Sequence, residues 1–216
     1  MVQKSKGEGA PPRRPRGRPR SFDADATLGR ATLAFWQRGY AATSMDDLST
    51  ATGLNRPSLY GAFGDKHALY LLALRAYAAQ ADAAIAAAFE GQTVRAGLAR
   101  VYALALKLYL PEGAPGRGCL LIGTAASEAP RDEAIREALA TALGGFTAAF
   151  EARLRRGVEE GELPAGTDPA MRAQLAAAVM HSMALRARAG DSRASLEALA
   201  AAGVDLVLSP PGTAAP

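Results

Sequence analysis

Arg56, Ser58 and Tyr60 gather in one short stretch the recognition chemistry that this 216-residue sequence offers. Arginine can pair with a guanine edge, a serine hydroxyl can serve a base or a phosphate, and a tyrosine adds a phenol beside them. The other reactive side chains are scattered. His67, His181 and the single Cys119 lie far apart in the chain, without metal-ligand spacing. Neither a phosphate-cradling glycine motif nor a nucleophile elbow is present. No catalytic group, metal or cofactor is therefore expected, and the chain reads as a binder rather than an enzyme.

The segment that must position these residues runs SMDDLSTATGLNRPSLYGAF, from Ser44 to Phe63. It predicts two short helices joined by a tight turn. The first starts at Thr43 or Ser44, whose hydroxyl caps it, with Asp46 and Asp47 near the positive end of its dipole. Met45, Leu48 and Ala51 or Thr52 recur on one inward face. Gly53 falls where a helix end needs a left-handed backbone, and Leu54 plugs the turn into the core. Asn55 caps the second helix, and Pro57 occupies its first turn, where no amide hydrogen is missed. Leu59 and Phe63 face inward, which leaves Arg56, Ser58, Tyr60, Gly61 and Ala62 outward. A basic, hydroxylic first turn suits a DNA major groove. Spacing alone also fits an ordinary helical hairpin with a polar outer face.

The flanks extend the pattern. Leu28, Ala31, Phe35 and Trp36 form the stripe of a preceding helix, opened by Asp23 or Asp25 and closed by Gly39. Gly39-Tyr40, Thr43-Ser44, Gly53-Leu54, Ser58-Leu59-Tyr60, Phe63, Lys66 and Leu69 follow. From Phe22 to Leu74 the chain resembles the N-terminal domain of the tetracycline-repressor (TetR) family of bacterial transcription regulators. The combination over some fifty residues is specific, although each dipeptide alone is weak. Gly61-Ala62 departs from the pattern, since many members carry larger residues such as His there. The resemblance implies that Thr43, Ser44, Tyr60 and Lys66 touch phosphates. Asn55, Arg56, Pro57 and Ser58 would then lie in the groove, with Arg56 and Ser58 at base edges.

Charge is unevenly spread. Residues 1–70 carry 11 basic and 6 acidic side chains, whereas 71–216 carry 14 and 15. The basic excess thus lies at the N-terminal end, where a polyanion would bind. Residues 1–21 have almost no apolar content and are expected to be a disordered basic arm. Pro15-Arg16-Gly17-Arg18-Pro19-Arg20 looks like an AT-hook core, which would lay Arg16 and Arg18 in a narrow minor groove. A generic basic tail fits the same residues. One cysteine excludes an internal disulfide and suits a reducing compartment. With no signal-peptide pattern and no apolar run long enough for a bilayer, a soluble, cytoplasmic protein is expected.

Downstream, Asp65 caps a long helix from Lys66 to about Glu90. His67 is expected to be solvated in its first turn. Further helices are predicted over Thr93–Leu110, Cys119 to about Ser127, Asp132 to about Gly161, Pro169 to about Ala189 and Ser192–Leu208. Gly144-Gly145 would bend the helix from Asp132 to about Gly161 or admit a close neighbour, and Glu159, Glu160 and Glu162 read as a solvated helix end. The expected fold class is therefore all-α with about nine helices. A helix-turn-helix DNA-binding domain would cover 22–70, a helical ligand-binding and dimerisation domain 71–208, and a disordered tail 209–216.

The resemblance implies a homodimer on a palindromic double-stranded DNA operator, paired through the last two helices as a four-helix bundle. The alternative is that those helices simply complete a monomer core. It also implies a small, largely apolar effector among the middle helices. Candidate liners are Tyr77, Tyr102, Leu106, Tyr109, Cys119, Ile122, Phe146, Phe150, Met180 and His181. Arg117-Gly118-Cys119-Leu120-Leu121 resembles the segment opening the sixth helix in one large subgroup of the family. A thiol there, beside Arg117, would be reactive if its pKa were lowered, and inert if simply buried. A low-specificity architectural DNA-binder driven by the basic arm is the remaining alternative.

Overall fold

The computed structural model describes residues 22–209. The arm with Arg16 and Arg18, and residues 210–216, lie outside the described residues. Within them the chain is all-α, without a strand: α1 (Ala24–Arg38), α2 (Met45–Thr52), α3 (Arg56–Phe63), α4 (Lys66–Phe89) and α5 (Val94–Tyr109), then α6 (Ala126–Glu128), α7 (Glu133–Glu159), α8 (Pro169–Ala189) and α9 (Arg193–Leu208). No helix among the described residues is long and apolar enough to cross a membrane.

Side-chain caps set most of the helix starts. Asp23, Ser44, Asn55, Asp65, Thr93, Asp132, Asp168 and Ser192 each accept a backbone amide from the first turn that follows. At α2 the capping is reciprocal: Asp47 Oδ2 accepts the Ser44 amide at 2.9 Å while Ser44 Oγ accepts the Asp47 amide at 3.1 Å. The hydrogen bond from Ser44 holds the Asp47 carboxyl below its ordinary range.

The first three helices fold over the start of α4. Phe35 packs edge-on against Tyr70 at 4.9 Å, and Trp36 against Tyr77 at 5.0 Å. Beyond residue 77, α4 runs between α5 and α7, α8 packs on α7, and α9 closes over α8 and α5. Two glycines mark where these helices meet closely. A Cβ at Gly145 would stand 3.2 Å from the Asp82 carboxylate, and one at Gly203 would stand 2.6 Å from Val179. Gly145 therefore serves close approach of α7 to α4, whereas a Cβ at Gly144 would meet nothing within 4 Å.

The segment before α6 differs from the expected short apolar helix. Leu121–Ala125 forms a π-helical turn, in which the Ala126 amide reaches back to the Leu121 carbonyl. Thr124 Oγ1 donates to the Leu120 carbonyl at 2.7 Å and lies 2.6 Å from the Tyr70 hydroxyl. With its proton so used, Thr124 accepts from Tyr70, and burial pushes that phenol up to about 12. Gly118 lets this segment run across α8: its φ is +62°, and a Cβ there would meet the Ala184 carbonyl oxygen at 2.4 Å.

Two polar groups also find partners that the sequence does not reveal, His67 half-buried and Glu162 at an exposed helix end. His67 is half-buried, its Nε2 2.8 Å from Asp132 Oδ2 on the cap of α7. Glu162, beyond the end of α7, accepts from the Val94 amide at 2.7 Å and from Arg153. Arg153 is 6% exposed and also donates to the Gln92 carbonyl at 2.8 Å. This clasp ties α7 to the start of α5. Burial acts to raise the Glu162 pKa, but Arg153 and the Val94 amide outweigh it and hold the carboxyl below its ordinary range.

Arg153→Ala removes the partner of the Glu162 carboxylate and the Gln92 carbonyl together with a buried side-chain stem, and is expected to cost about 1–3 kcal/mol in denaturant unfolding at fixed protein concentration. A depressed carboxylate pKa stabilises the fold above the unfolded pKa and loses that contribution as pH falls through the folded one. The gap between wild type and Glu162→Gln should accordingly be widest at neutral pH and close in acid. A gap independent of pH would contradict the clasp.

Candidate DNA-reading surface and effector cavity

The outer face is built by two turns. Gly39 ends α1 with φ +82°, which redirects the chain toward α2, and Gly53 adopts the left-handed conformation at φ +73° between α2 and α3. Leu48 and Leu59, both fully buried, fix α2 and α3 against the core. Arg56, Pro57, Ser58, Tyr60, Gly61 and Ala62 are all left exposed on α3. The Asn55 side chain is committed to the cap, accepting the Ser58 amide at 2.9 Å. Ser44 is exposed at the start of α2 and Tyr60 is 49% exposed.

Two of the phosphate candidates sit lower. Thr43 is 1% exposed, and its hydroxyl donates to the Gly39 carbonyl at 2.6 Å, so it lies under the surface as part of the turn. Lys66 is half-buried, its Nζ donating to the Tyr40 carbonyl at 3.2 Å and lying 4.3 Å from the Tyr40 ring centre. One ammonium hydrogen is thus used and two remain for an anion.

Among the middle helices lies an apolar cavity of about 80 Å³. Tyr77, Ala81, Ala84 and Ile85 of α4 form one wall, Val101, Leu104, Ala105, Leu108 and Tyr109 of α5 another. Phe146 and Met180 complete it from α7 and α8. Of the ten candidate liners, Tyr77, Tyr109, Phe146 and Met180 come together here. Tyr102, Leu106, Cys119, Ile122, Phe150 and His181 are not on its wall. Tyr102 is fully buried, its hydroxyl donating to the Ala176 carbonyl at 3.1 Å, and Phe150 packs edge-on against Phe89. His181 is half-buried on α8, where burial lowers its pKa. The alanines of the wall escaped sequence reading, because small residues give no distinctive signal until helices cross.

Cys119 is 3% exposed and accepts a hydrogen bond from the Tyr77 hydroxyl at 3.3 Å. Burial pushes its thiol up, away from the lowered pKa a reactive thiolate needs. Arg117 does not face it. That guanidinium stacks on Trp36 at 4.2 Å and donates to the Leu108 carbonyl at 3.0 Å.

An exposed helix pair presenting Arg56, Ser58 and Tyr60, joined through a long helix to an α-helical unit with an apolar cavity, is the arrangement of a helix-turn-helix DNA-binding regulator. The family model for bacterial regulatory proteins of the tetR family matches residues 28–73, and that for the tetracyclin repressor-like C-terminal domain matches 96–202. The chain belongs to the TetR family of bacterial transcription regulators. It is 32% identical over 188 residues to the HTH-type transcriptional repressor ComR of Escherichia coli (strain K12), covering 85% of this chain and 87% of that protein. The structure is similar, with TM-score 0.79, to a cysteine mutant of the TetR-family regulator CifR complexed with 26-bp double-strand operator DNA. That likeness has 34% identity and covers 87% of this chain and 98% of CifR. The regulator FadR from Bacillus subtilis, solved with stearoyl-CoA, shares the fold at TM-score 0.71 and 17% identity, over 88% of this chain and all of that one.

Gly61 is exposed in the middle of α3, has no positive φ, and a Cβ there would meet nothing within 4 Å. Gly61→Ala is therefore expected to stabilise the fold by about 0.5–1 kcal/mol in thermal unfolding, because helical glycine forfeits backbone entropy.

Proposed function

We propose that the chain is a ligand-responsive repressor that works in the cytoplasm as a homodimer on a palindromic operator. The observation that carries this reading is the exposed first turn of α3, set by the Ser44 and Asn55 caps and presenting Arg56 and Ser58. Arg56 and Ser58 reach base edges; Ser44, Tyr60 and Lys66 position the protein on phosphates, with Asn55 and Pro57 shaping the turn between them. Thr43 contributes by fixing that turn from below. Arg16 and Arg18, on the arm, add minor-groove contact. The DNA-binding unit spans about 22–70 and the effector and dimer unit about 71–208, with α4 shared by both.

The partner is a second copy, paired through α8 and α9. Met171, Leu185 and Leu206 on these helices are 58%, 55% and 53% exposed in the single chain, an apolar face that a copy would cover. Two-fold symmetry then sets the two α3 helices about 34–36 Å apart, the spacing of successive major-groove faces. The effector is a small, largely apolar molecule bounded by Tyr77, Tyr109, Phe146 and Met180. No enzymatic activity is assigned. The buried, pKa-raised Cys119 weighs against a thiol-sensing switch.

The test is equilibrium binding to duplexes selected by the protein from randomised DNA, against scrambled duplexes at two salt concentrations. Wild type should prefer the selected duplex by at least about a thousandfold. Arg56→Ala should lose about 1–3 kcal/mol on the selected duplex and little on the scrambled one. Equal losses on both would reduce Arg56 to a phosphate contact and sink the base-reading assignment.

A further inference from the structure

The two helices of the reading unit are joined by an ion pair at their outer edge. Asp46 lies in the first turn of α2 and Arg56 is the first residue of α3. Arg56 Nε donates to Asp46 Oδ1 at 2.6 Å, and its Nη2 donates to Oδ2. The two side chains are 53% and 70% exposed, so water screens the pair and it adds little to stability. A carboxylate here also repels the phosphates of any DNA that α3 approaches. An arrangement that stabilises little and opposes non-specific binding has its main consequence in where it points the arginine.

The geometry is informative about that direction. A carboxylate engaged along the Nε–Nη2 edge leaves the Nη1–Nη2 end of the fork free. That end presents two parallel N–H groups with the spacing of guanine O6 and N7. An unpaired arginine in the same place would rotate freely and pair with nearby phosphates as readily as with a base.

We propose that Asp46 is a specificity-determining positioning residue, which holds the guanidinium of Arg56 end-on toward a guanine and away from the phosphates. This rests on the reading of Arg56 as a base-contacting residue. Asp46 itself touches no base. It exchanges some overall affinity for discrimination by adding a repulsive element against wrong DNA.

The experiment compares full-length wild type, Asp46→Ala, Asp46→Asn, Arg56→Ala and the Asp46→Ala/Arg56→Ala pair. Each selects duplexes from the same randomised library and is then titrated with the wild-type-selected duplex and a scrambled one. Asp46→Ala should bind scrambled DNA more tightly and reduce the preference for the selected duplex by about tenfold. It should lose the guanine preference at the same position as Arg56→Ala, with a melting temperature lowered by no more than about 4 °C, the share of its helix-dipole interaction. Asp46→Asn, keeping one acceptor oxygen but no charge, should fall between. In the Arg56→Ala background, Asp46→Ala should alter no base preference. Retained guanine preference in Asp46→Ala, where Arg56→Ala loses it, would overturn the inference and leave the Arg56 reading standing. A preference that changes in the Arg56→Ala background would mean that Asp46 reads a base directly, which also overturns it. An Arg56→Ala variant with wild-type preferences would overturn the underlying reading instead.

Discussion

The aromatic seam between α1 and α4 is the contact on which the rest of the structure depends. Tyr70 is fully buried between Phe35 and Tyr40, at 4.9 and 4.7 Å, while Tyr77 meets Trp36 one helical interval further on. Trp36 is in turn fixed from its other side: Arg117 lies over its ring and the Arg117 carbonyl accepts its indole N–H at 3.3 Å. Tyr70 reaches Thr124 in the π-helical turn. The reading unit is therefore clamped between α4 and the 117–124 segment. Tilting α1 would break edge-on aromatic packing, a cation–π contact and the Trp36 indole hydrogen bond together, so the first three helices and the core move as coupled bodies.

The long helix carries this coupling. Its 24 residues span about 36 Å at 1.5 Å per residue, from the edge of the reading surface to the end of the cavity wall. The contact is asymmetric. At the N-terminal end α4 is held by large rings, but from Ala78 to Ala88 it is mostly alanine. That stretch allows close helix approach and leaves the small void that Tyr77, Phe146 and Met180 border.

Legibility in the sequence followed the range of the interactions. Helix starts were readable because each is set by a side chain two or three residues from the amide it accepts, as at Ser44, Asn55 and Asp65. The reading face was readable for the same reason, since Leu59 and Phe63 orient α3 by local periodicity. What escaped was set by distant partners. The π-helical turn depends on Thr124 meeting Tyr70, 54 residues away, and the fate of Glu162 on Val94, 68 residues away. A sequence window around either residue shows only an apolar run or a charged helix end. Thr43 and Lys66 are intermediate: the resemblance places them at the surface, but Gly39 and Tyr40 draw both inward.

The dimensions of the cavity bear on how a ligand would act. A molecule shifts an equilibrium only by its difference in affinity between the two states. One small enough for about 80 Å³ would fit the present arrangement and gain nothing by changing it. A larger apolar molecule has either to protrude past the exposed rim at Ala84 and Leu104 or to move a wall. Cores resist compression, so the wall yields where a side chain can swing rather than where a backbone must shift. Ala81, Ala84 and Ala105 offer no such freedom. Tyr77 does, because its ring borders the cavity while also packing on Trp36, and its hydroxyl donates to the weak acceptor Cys119. Swinging Tyr77 withdraws the support beneath α1. In the proposed repressor, a ligand whose bulk displaces the Tyr77 ring would thereby prefer the DNA-free state.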